Sequence, residues 1–298
     1  MSHPLVECIP NFSEGRRQDV IAAIADEVRR TSGARLLDVQ ADGSHNRCVI
    51  TFVGSLTAVK AAALGAARRA VELINMTTHR GEHPRLGAVD VIPLVPISGV
   101  TMDECVTAAR DLGRQLWESL RVPVYFYAEA ATRPQRRWLP DIRAGEYEGL
   151  VQKMADPSWA PDVGAPTPHP TAGATVVGAR RPLIAYNINL TTTDVEVAKT
   201  IARTVRERGG GLMHVQAMGV VSESGRAQVS MNLLDYAATS LARAVEVVRT
   251  EAARYAVEIE DSEVVGIIPL DAVADVARAC LRLKNFRREQ ILEARLIE

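Results

Sequence analysis

The order of strand and helix patterns repeats in the two halves of this chain, and this repeat constrains the fold more than any other feature. In the first half, Val20, Ile24 and Val28 recur at four-residue spacing and predict a helix near Gln18–Arg30. The other predicted elements of this half are strands near residues 5–9, 35–39, 47–53, 89–95 and 123–127, and helices near residues 57–74 and 102–120.

The second half repeats the order strand, helix, strand, strand, helix, strand. Its predicted elements are a strand at 183–190, a helix from the capping residue Asp194 to about Arg208, a hairpin of 214–221 and 226–235 with its turn near 223–225, a helix over 241–255 and a strand at 264–269. This order is typical of a ferredoxin-like split unit. We therefore predict an α+β fold with two ferredoxin-like α/β subdomains, residues 1–180 and 181–298.

One segment, TTHRGEHPRLGAVDVIPLVP, concentrates titratable side chains in a loop before a buried strand. Its His79, Glu82 and His83 match the H-x-x-E-H zinc pattern by letter. Zinc binding by that pattern requires both histidines on one face of a helix, which Gly81 and Pro84 oppose. Two other interpretations remain open. The histidines cap neighbouring groups or face solvent, or one of them is a general base or acid in a metal-free site.

Composition narrows the class of protein. The net charge is −1, so the chain has no overall nucleic-acid or membrane signature. It lacks a secretory signal pattern and any apolar run of membrane length, which predicts a cytoplasmic protein. The four cysteines form no CxxC pair, and three of them lie in apolar runs, so we expect reduced core residues; they are Cys8, Cys48, Cys105 and Cys280.

Eight stretches carry a resemblance to a known family. They are VECIPNFSEGR (6–16), HNRCVITFVG (45–54), HRGEHPRLGAVDVIPLVP (79–96), VPVYFYAEAA (122–131), RAGEYEGL (143–150), WAPDVG (159–164), GARRPLIAYNINL (178–190) and AQVSMNLLDY (227–236). In this order they resemble the glutamate formimidoyltransferase family, in the monofunctional form without the cyclodeaminase domain. The resemblance implies two α/β subdomains with a ligand cleft between them.

The resemblance also implies a reaction and a set of residues. A formimidoyl group would pass from N-formimidoyl-L-glutamate to N5 of the co-substrate tetrahydrofolate, with no metal. The family's catalytic histidine falls on His83, which would accept a proton and return it. Asp38, His45, Asn46 and Arg47 are further candidates for the same cleft.

The resemblance further implies a homodimer. Two alternatives to the expected activity remain. One is a formyl or formimidoyl transferase that uses another amino-acid donor, and the other is a folate-binding paralogue without turnover.

A proline-rich connector, residues 156–173, has two interpretations. It is a stiff linker between the halves, or a rigid loop that lines the cleft. The resemblance favours the second, because the family binds folate along the positions that here are Gly164, Ala165, Pro166, Thr167, Pro168, His169, Pro170, Thr171, Ala172 and Gly173. The sequence departs from the family at 163–166, so the role of the loop carries over better than its individual contacts.

Other polar groups of the sequence also have two interpretations. Polar side chains alternate with apolar residues along the predicted strands of the second half, which fits a sheet with one wet face or a face that binds substrate; these residues are Asn187, Asn189, Gln228, Ser230 and Asn232. Three arginine pairs are interpreted as solvated surface, of which one or two could attract substrate carboxylates; they are Arg16, Arg17, Arg136, Arg137, Arg180 and Arg181.

Overall fold

The computed structural model of the protein describes residues 4–297, which form two compact units that divide between Arg180 and Arg181. Each unit has its own β-sheet with helices packed on it. This confirms the prediction of an α+β fold with two α/β subdomains. The ferredoxin-like assignment stays a prediction, as does a cleft between the subdomains.

The N-terminal unit is built on a seven-stranded sheet. Its elements are β1 (Leu5–Cys8), β2 (Asn11–Phe12), α1 (Gln18–Arg30), β3 (Ala34–Asp42), β4 (Arg47–Gly54), α2 (Leu56–Leu73), β5 (Val89–Ser98), α3 (Met102–Leu120), β6 (Val124–Ala128), α4 (Leu139–Arg143), α5 (Leu150–Ala155) and β7 (Thr175–Ala179). The strand order is β1-β4-β2-β5-β7-β6, and β3 pairs with β4. The pairs β5–β7 and β6–β7 are parallel, and the other pairs are antiparallel.

The C-terminal unit has a four-stranded antiparallel sheet in the order β11-β8-β10-β9. Its elements are β8 (Ile184–Leu190), α6 (Val195–Val205), β9 (Val215–Val221), β10 (Ala227–Leu233), α7 (Leu241–Ala253), β11 (Ile259–Val265), α8 (Leu270–Cys280) and α9 (Leu292–Ile297). The β9–β10 hairpin turns where predicted, with Gly225 at φ +78°, which glycine adopts without steric cost. Asp194 caps α6 as predicted by accepting a hydrogen bond from the Glu196 amide.

The N-terminal sheet carries a core on each face. Alternate residues such as Ile50 of β4 and Leu94 of β5 pack in the core formed with α1, α2 and α3. On the opposite face, Tyr125 and Val176 pack with side chains of α4 and α5. Because side chains alternate along a strand, Arg47 of β4 lies on this second face, where polar groups can gather beside an apolar core.

Two predicted boundaries were wrong in the C-terminal unit. The last strand is β11 (Ile259–Val265), not 264–269, and it pairs with β8 along the edge of the sheet. An edge strand can carry polar residues on its solvent side. The acidic residues of β11 therefore give it no apolar run by which the sequence would predict a strand. Helix α6 ends at Val205, and the turn at Glu207–Gly209 that was assigned to it is a separate 3-10 turn.

One of the arginine pairs was also interpreted wrongly. Arg136 is fully buried, not solvated: it forms an ion pair of 2.6 Å with Asp162 and lies over the ring of Tyr125. The cysteine prediction holds, since Cys8, Cys48 and Cys105 are buried thiols and Cys280 is an exposed one. Across residues 4–297, no helix has both the length and the apolar character needed to cross a membrane.

Candidate functional site

The site begins with a loop between α2 and β5 that the sequence keeps out of helical structure. Residues 79–85, which hold both histidines, contain no helix. The Met76 amide donates to the Thr171 carbonyl at 2.7 Å, and the Ala88 amide donates to the Ala172 carbonyl at 2.9 Å. Both ends of this histidine loop, residues 74–88, are therefore fixed to the end of the proline-rich connector.

Gly81 fixes the middle of the histidine loop against the start of β4. A β-carbon at position 81 would lie 2.3 Å from the His45 carbonyl oxygen and 2.9 Å from Cβ of Asn46. Only glycine permits this approach without displacing backbone. The close contact brings residues 45–47 beside His83, which is separated from them by more than thirty positions in the sequence.

Asn46 connects three segments at this point. Its backbone is left-handed, with φ +48°, a conformation that asparagine tolerates better than most residues. Its Oδ1 accepts from the Gly15 amide at 3.0 Å, and its Nδ2 donates to the Arg80 carbonyl at 2.8 Å. Its own carbonyl receives a hydrogen bond of 3.0 Å from Nε2 of His79. Asn46 is thus a positioning residue for the histidine loop.

His79 has a structural role. The side chain is only 7% exposed, and its Nδ1 accepts from Nε of Arg85 at 3.3 Å while its Nε2 donates to Asn46. Burial lowers its pKa, so the ring stays neutral with the proton on Nε2. Both nitrogens are engaged and the segment is not helical, so the geometry that the zinc pattern requires is absent at His79. This histidine matches the interpretation in which it caps neighbouring groups.

His83 lies in a different environment. Its partly buried ring faces a small recess, the His83 recess, which is lined by Ser13, His45, Asn46, Arg47, Arg85 and Asp90, among others. The ring of His45 meets that of His83 edge to face, with 6.1 Å between centroids. Nδ1 of His83 is buried and has no hydrogen-bond partner among the described residues. A buried imidazole nitrogen without a partner is rare in proteins and is available to a ligand.

Burial lowers the pKa of His83 to about 2, and the positive charges of Arg47 and Arg143 and the ring of His45 reinforce this effect. A cation is disfavoured both by loss of water and by neighbouring cations. His83 is therefore a neutral imidazole throughout the physiological range. A neutral ring with an unpartnered nitrogen can accept a proton from a bound molecule.

Two arginines give the His83 recess its positive character. Arg47, at the start of β4, donates to Oδ1 of Asn11, and Arg143, at the end of α4, forms an ion pair with Asp90. Asp90 is 2% exposed and also accepts from the Leu86 amide at 2.9 Å. Burial lowers the pKa of Arg47 to about 10, with Arg143 as a further cause. The two guanidinium groups are thus close enough to repel each other.

A second group of charges supports the loop from behind. Arg85 is 6% exposed, and it binds Glu148 through two nitrogens at 2.7 and 2.9 Å and Glu146 through one. These glutamates follow α4 in the chain, so Arg85 links the histidine loop to the segment that supplies Arg143. The Arg85 charge is satisfied by this network, whereas those of Arg47 and Arg143 are only partly matched.

The structure brings together four of the predicted site residues of the first unit, and residues 164–173 are not among those that line the recess. His45, Asn46 and Arg47 line the same recess as His83. Asp38 does not line it: it lies within β3, not at the end of a strand, and its Oδ1 accepts from the adjacent Val39 amide. The predicted strand near residues 35–39 therefore extends to Asp42, and the role of Asp38 in binding stays a prediction.

Sequence reasoning missed three residues of this site. Ser13, Asp90 and Arg143 lie within stretches that carry the family resemblance, at 6–16, 79–96 and 143–150. The family resemblance identifies these stretches but not the individual site residues, because it does not tell which side chains of a stretch face one another.

The proline-rich connector belongs to the N-terminal unit. Val163 forms a bridge with Val124, and Gly173 forms bridges with Gly87 and His169. The boundary between the units comes later, after Arg180, so the interpretation as a linker between the halves was wrong.

Within the connector, residues 164–167 are exposed, whereas Ala172 and Gly173 are buried. Nδ1 of His169 accepts from the Thr171 and Ala172 amides at 3.3 and 3.0 Å. The buried end is the part that holds the histidine loop, which leaves the exposed part available to a ligand.

The amides of the second unit form a ladder across the sheet. Asn189 donates to Asp261 at 2.7 Å, Asn187 donates to Glu263 at 2.9 Å, and Gln228 donates to Asn189 at 2.9 Å. These bonds account for Asn187, Asn189 and Gln228 without a ligand, as expected for a sheet with one polar face. Among residues 4–297, no three histidine, cysteine or acidic side chains are grouped as a metal site would require.

The chain is similar in sequence to known proteins over nearly its whole length. The profile described as "Formiminotransferase domain, N-terminal subdomain" matches residues 5–180, and the one described as "Formiminotransferase domain" matches residues 185–297. Among curated proteins, the chain is 44% identical to a "Glutamate formimidoyltransferase" of Streptococcus pyogenes serotype M1, over 98% of this chain and 99% of the relative. It is 46% identical to a protein of the same name from Thermoplasma acidophilum, over 98% and 97%.

A longer relative matches only in part. The "Formimidoyltransferase-cyclodeaminase" of Rattus norvegicus is 48% identical over 98% of this chain, which corresponds to 56% of that protein. Among solved structures, a microcompartment protein from Desulfitobacterium hafniense has a TM-score of 0.25 at 11% identity, which is too low to support an argument.

Proposed function

Because the chain belongs to the formiminotransferase domain family, we propose that it transfers the formimidoyl group of N-formimidoyl-L-glutamate to N5 of tetrahydrofolate, giving 5-formimidoyltetrahydrofolate and L-glutamate. The names of two relatives that match over nearly their whole length support the reaction class and the donor. Tetrahydrofolate is a co-substrate in this proposal, and no metal takes part. The proposal includes a homodimer located in the cytoplasm, in line with the family resemblance.

The single observation that carries the proposed mechanism is the buried, unpartnered Nδ1 of the neutral His83. N5 of tetrahydrofolate attacks the amidinium carbon of the donor, and a bond forms between them. His83 accepts the proton that N5 must lose. The resulting tetrahedral carbon carries three nitrogens. It collapses when His83 returns the proton to the glutamate nitrogen, which then leaves as an amine.

The electrostatics of the His83 recess favour entry of the donor and return of the proton. The donor amidinium is a cation, so a neutral imidazole admits it where an imidazolium would repel it. Arg47 and Arg143 disfavour the protonated ring, so His83 gives its proton back readily once the adduct has formed. The contacts of Gly81 and Asn46 that hold the loop keep the ring in place, which favours reaction by orientation.

The exposed part of the connector supports a folate wall next to this recess. In this proposal, residues 164–173 contact the folate, as the family resemblance implies. Their end is hydrogen-bonded to both ends of the histidine loop, so one rigid piece would hold the acceptor and the catalytic ring. A preformed wall reduces the ordering that binding requires.

The test is a steady-state assay with tetrahydrofolate and a panel of formimidoyl and formyl amino acids, on wild type and on His83→Ala. We expect a loss in kcat of roughly 100- to 10,000-fold for the variant, with folate affinity retained. His79→Ala is the matched control; it removes a structural imidazole and should lower thermal stability more than kcat, measured where the variant is folded. A His83→Ala variant with more than about half of wild-type kcat would remove His83 from the mechanism.

The same assay separates the alternatives. Turnover only with a different amino-acid donor would mean a related transferase, and folate binding without turnover of any donor would mean a binding paralogue. Zinc at less than about a tenth of an equivalent in the active purified protein would eliminate a zinc enzyme.

A further inference from the structure

Two buried donors beside His83 are left without partners. Nε of Arg47 and Nε of Arg143 are each buried and make no hydrogen bond within residues 4–297. The other ends of the two guanidinium groups are engaged by Asn11 and Asp90. A buried N–H group that lacks an acceptor costs about 1 to 3 kcal/mol, so such donors at a recess indicate a ligand that supplies the acceptors.

The charges around these donors favour an anionic ligand. Asp90 is the one carboxylate among the residues that line the His83 recess, and it already accepts from Arg143 and from the Leu86 amide. Nearby Glu14 is occupied by the Arg16 and Arg17 amides at 2.9 Å each. Two adjacent guanidinium groups with unused N–H donors match the planar pair of oxygens of a carboxylate.

The chemistry of the donor places one carboxylate at this position. In an N-formimidoyl amino acid, the α-carbon bears both the reacting nitrogen and the α-carboxylate. When that nitrogen lies at His83, the α-carboxylate is only two bonds away and stays within the recess. The γ-carboxylate is further along the chain, and the carboxylates of folate are separated from N5 by the whole aminobenzoyl group.

We infer that Arg47, which lines the recess, and Arg143, which is paired with the lining residue Asp90, together bind the α-carboxylate of the amino-acid donor through their two Nε–H groups that lack partners. This inference rests on the proposed function, because it takes the donor to be a formimidoyl amino acid. In this inference, Arg47 and Arg143 are the residues that select an α-amino-acid derivative over a simple formimidoyl amine. A carboxylate bound there also compensates the positive charge that surrounds the ring of His83.

The experiment compares N-formimidoyl-L-glutamate with N-formimidoyl-4-aminobutyrate, which lacks only the α-carboxylate. Wild type should prefer the first by roughly ten- to hundredfold in kcat/KM, the value of a charge-assisted hydrogen-bond pair. Arg47→Lys and Arg143→Lys keep the charge but lose the Nε–H donor, so the preference should collapse toward unity. The loss should appear mainly as a higher KM for the first donor, with the KM for tetrahydrofolate unchanged.

Arg136→Lys is the matched control, because Arg136 is a fully buried arginine of the same unit whose Nε is also unpartnered, but whose ion pair is with Asp162 and not with a residue that lines the recess. It should lower stability and keep the donor preference. Retention of the wild-type preference in both recess variants would overturn the inference and leave the proposed function intact. An equal loss of kcat for both donors would show a structural role through Asp90 and would also overturn it.

A binding measurement tests the inference when the enzyme shows no turnover or a variant does not fold. Calorimetric titration of wild type with L-glutamate and with 4-aminobutyrate needs neither turnover nor a folded variant. Tighter binding of L-glutamate by roughly tenfold or more is expected. Equal affinities would overturn the inference. Absence of turnover with any formimidoyl donor alongside tighter L-glutamate binding would refute the proposed function alone.

Discussion

The protonation of His83 makes a quantitative prediction about stability. The unfolded chain holds this histidine at a pKa near 6.5, whereas burial and the nearby arginines lower its pKa to about 2 in the folded protein. Between these two values the unfolded state binds one more proton than the folded state. The contribution of His83 to stability is therefore complete above pH about 6.5 and is lost as the pH falls.

The magnitude follows from linkage. At pH about 7 the proton imbalance costs the folded state about 0.2 kcal/mol, and at pH about 5.5 it costs about 1.4 kcal/mol. The difference, about 1.2 kcal/mol, does not depend on the folded pKa as long as that value is below about 4.5. A variant without the imidazole, such as His83→Asn, should not show this loss. Other histidines with lowered pKa values, such as His79 and His169, contribute equally to both proteins and cancel.

The assay is urea unfolding followed by tryptophan fluorescence. All three tryptophans, Trp117, Trp138 and Trp159, lie in the N-terminal unit, so the signal reports on the unit that contains His83. From pH about 7 to about 5.5, the free energy of unfolding of wild type should fall by about 1.2 kcal/mol more than that of His83→Asn. Equal pH dependence of the two proteins would show that His83 titrates normally, and the argument for a neutral ring in a positive recess would be refuted.

Two further predictions concern ligands. Because Arg47 and Arg143 make the His83 recess positive and the substrates are anionic, kcat/KM should fall as ionic strength rises, and more for polyglutamylated folate than for the monoglutamate; a flat salt dependence for both would contradict this. If residues 164–173 line the folate site, the exposed amides of Gly164, Ala165 and Thr167 should exchange hydrogen more slowly when folate is bound, while the exposed turn at 223–225 stays unchanged. Identical exchange of residues 164–173 with and without folate would exclude the wall.

Most elements of the fold were predictable because local signals and tertiary packing agree. Helices α1 and α3 have the bounds that their apolar spacing indicates, and a capping box of Thr101 and Glu104 caps the N-terminus of α3. β11 could not be placed in the same way. Its Asp261 and Glu263 accept hydrogen bonds from Asn189 and Asn187 of β8, so the segment lacks the apolar pattern of a buried strand. It is a strand because it pairs with β8, and that pairing cannot be read from a single sequence.

The candidate site divides along the same line. The irregular histidine loop was predictable, because Gly81 and Pro84 act locally on the backbone. The choice between His79 and His83 came from the family resemblance, and the structure supplies a physical reason for it, since only His83 keeps an unpartnered nitrogen. Arg143 could not be found from the sequence alone, because its ion pair with Asp90 joins residues that are more than fifty positions apart.

The residues that position the histidine loop are adjacent to the arginines that place positive charge beside His83. Asn46 binds the histidine loop through two hydrogen bonds and the Gly15 amide through a third, and the next residue, Arg47, lowers the pKa of His83. On the other side, Asp90 fixes both the Leu86 amide at the end of the loop and the guanidinium of Arg143. The loop therefore cannot adopt its ordered position without also placing two arginines beside the ring. Order in the loop and neutrality of His83 are consequences of one set of contacts, and a change that loosens the first will also alter the second.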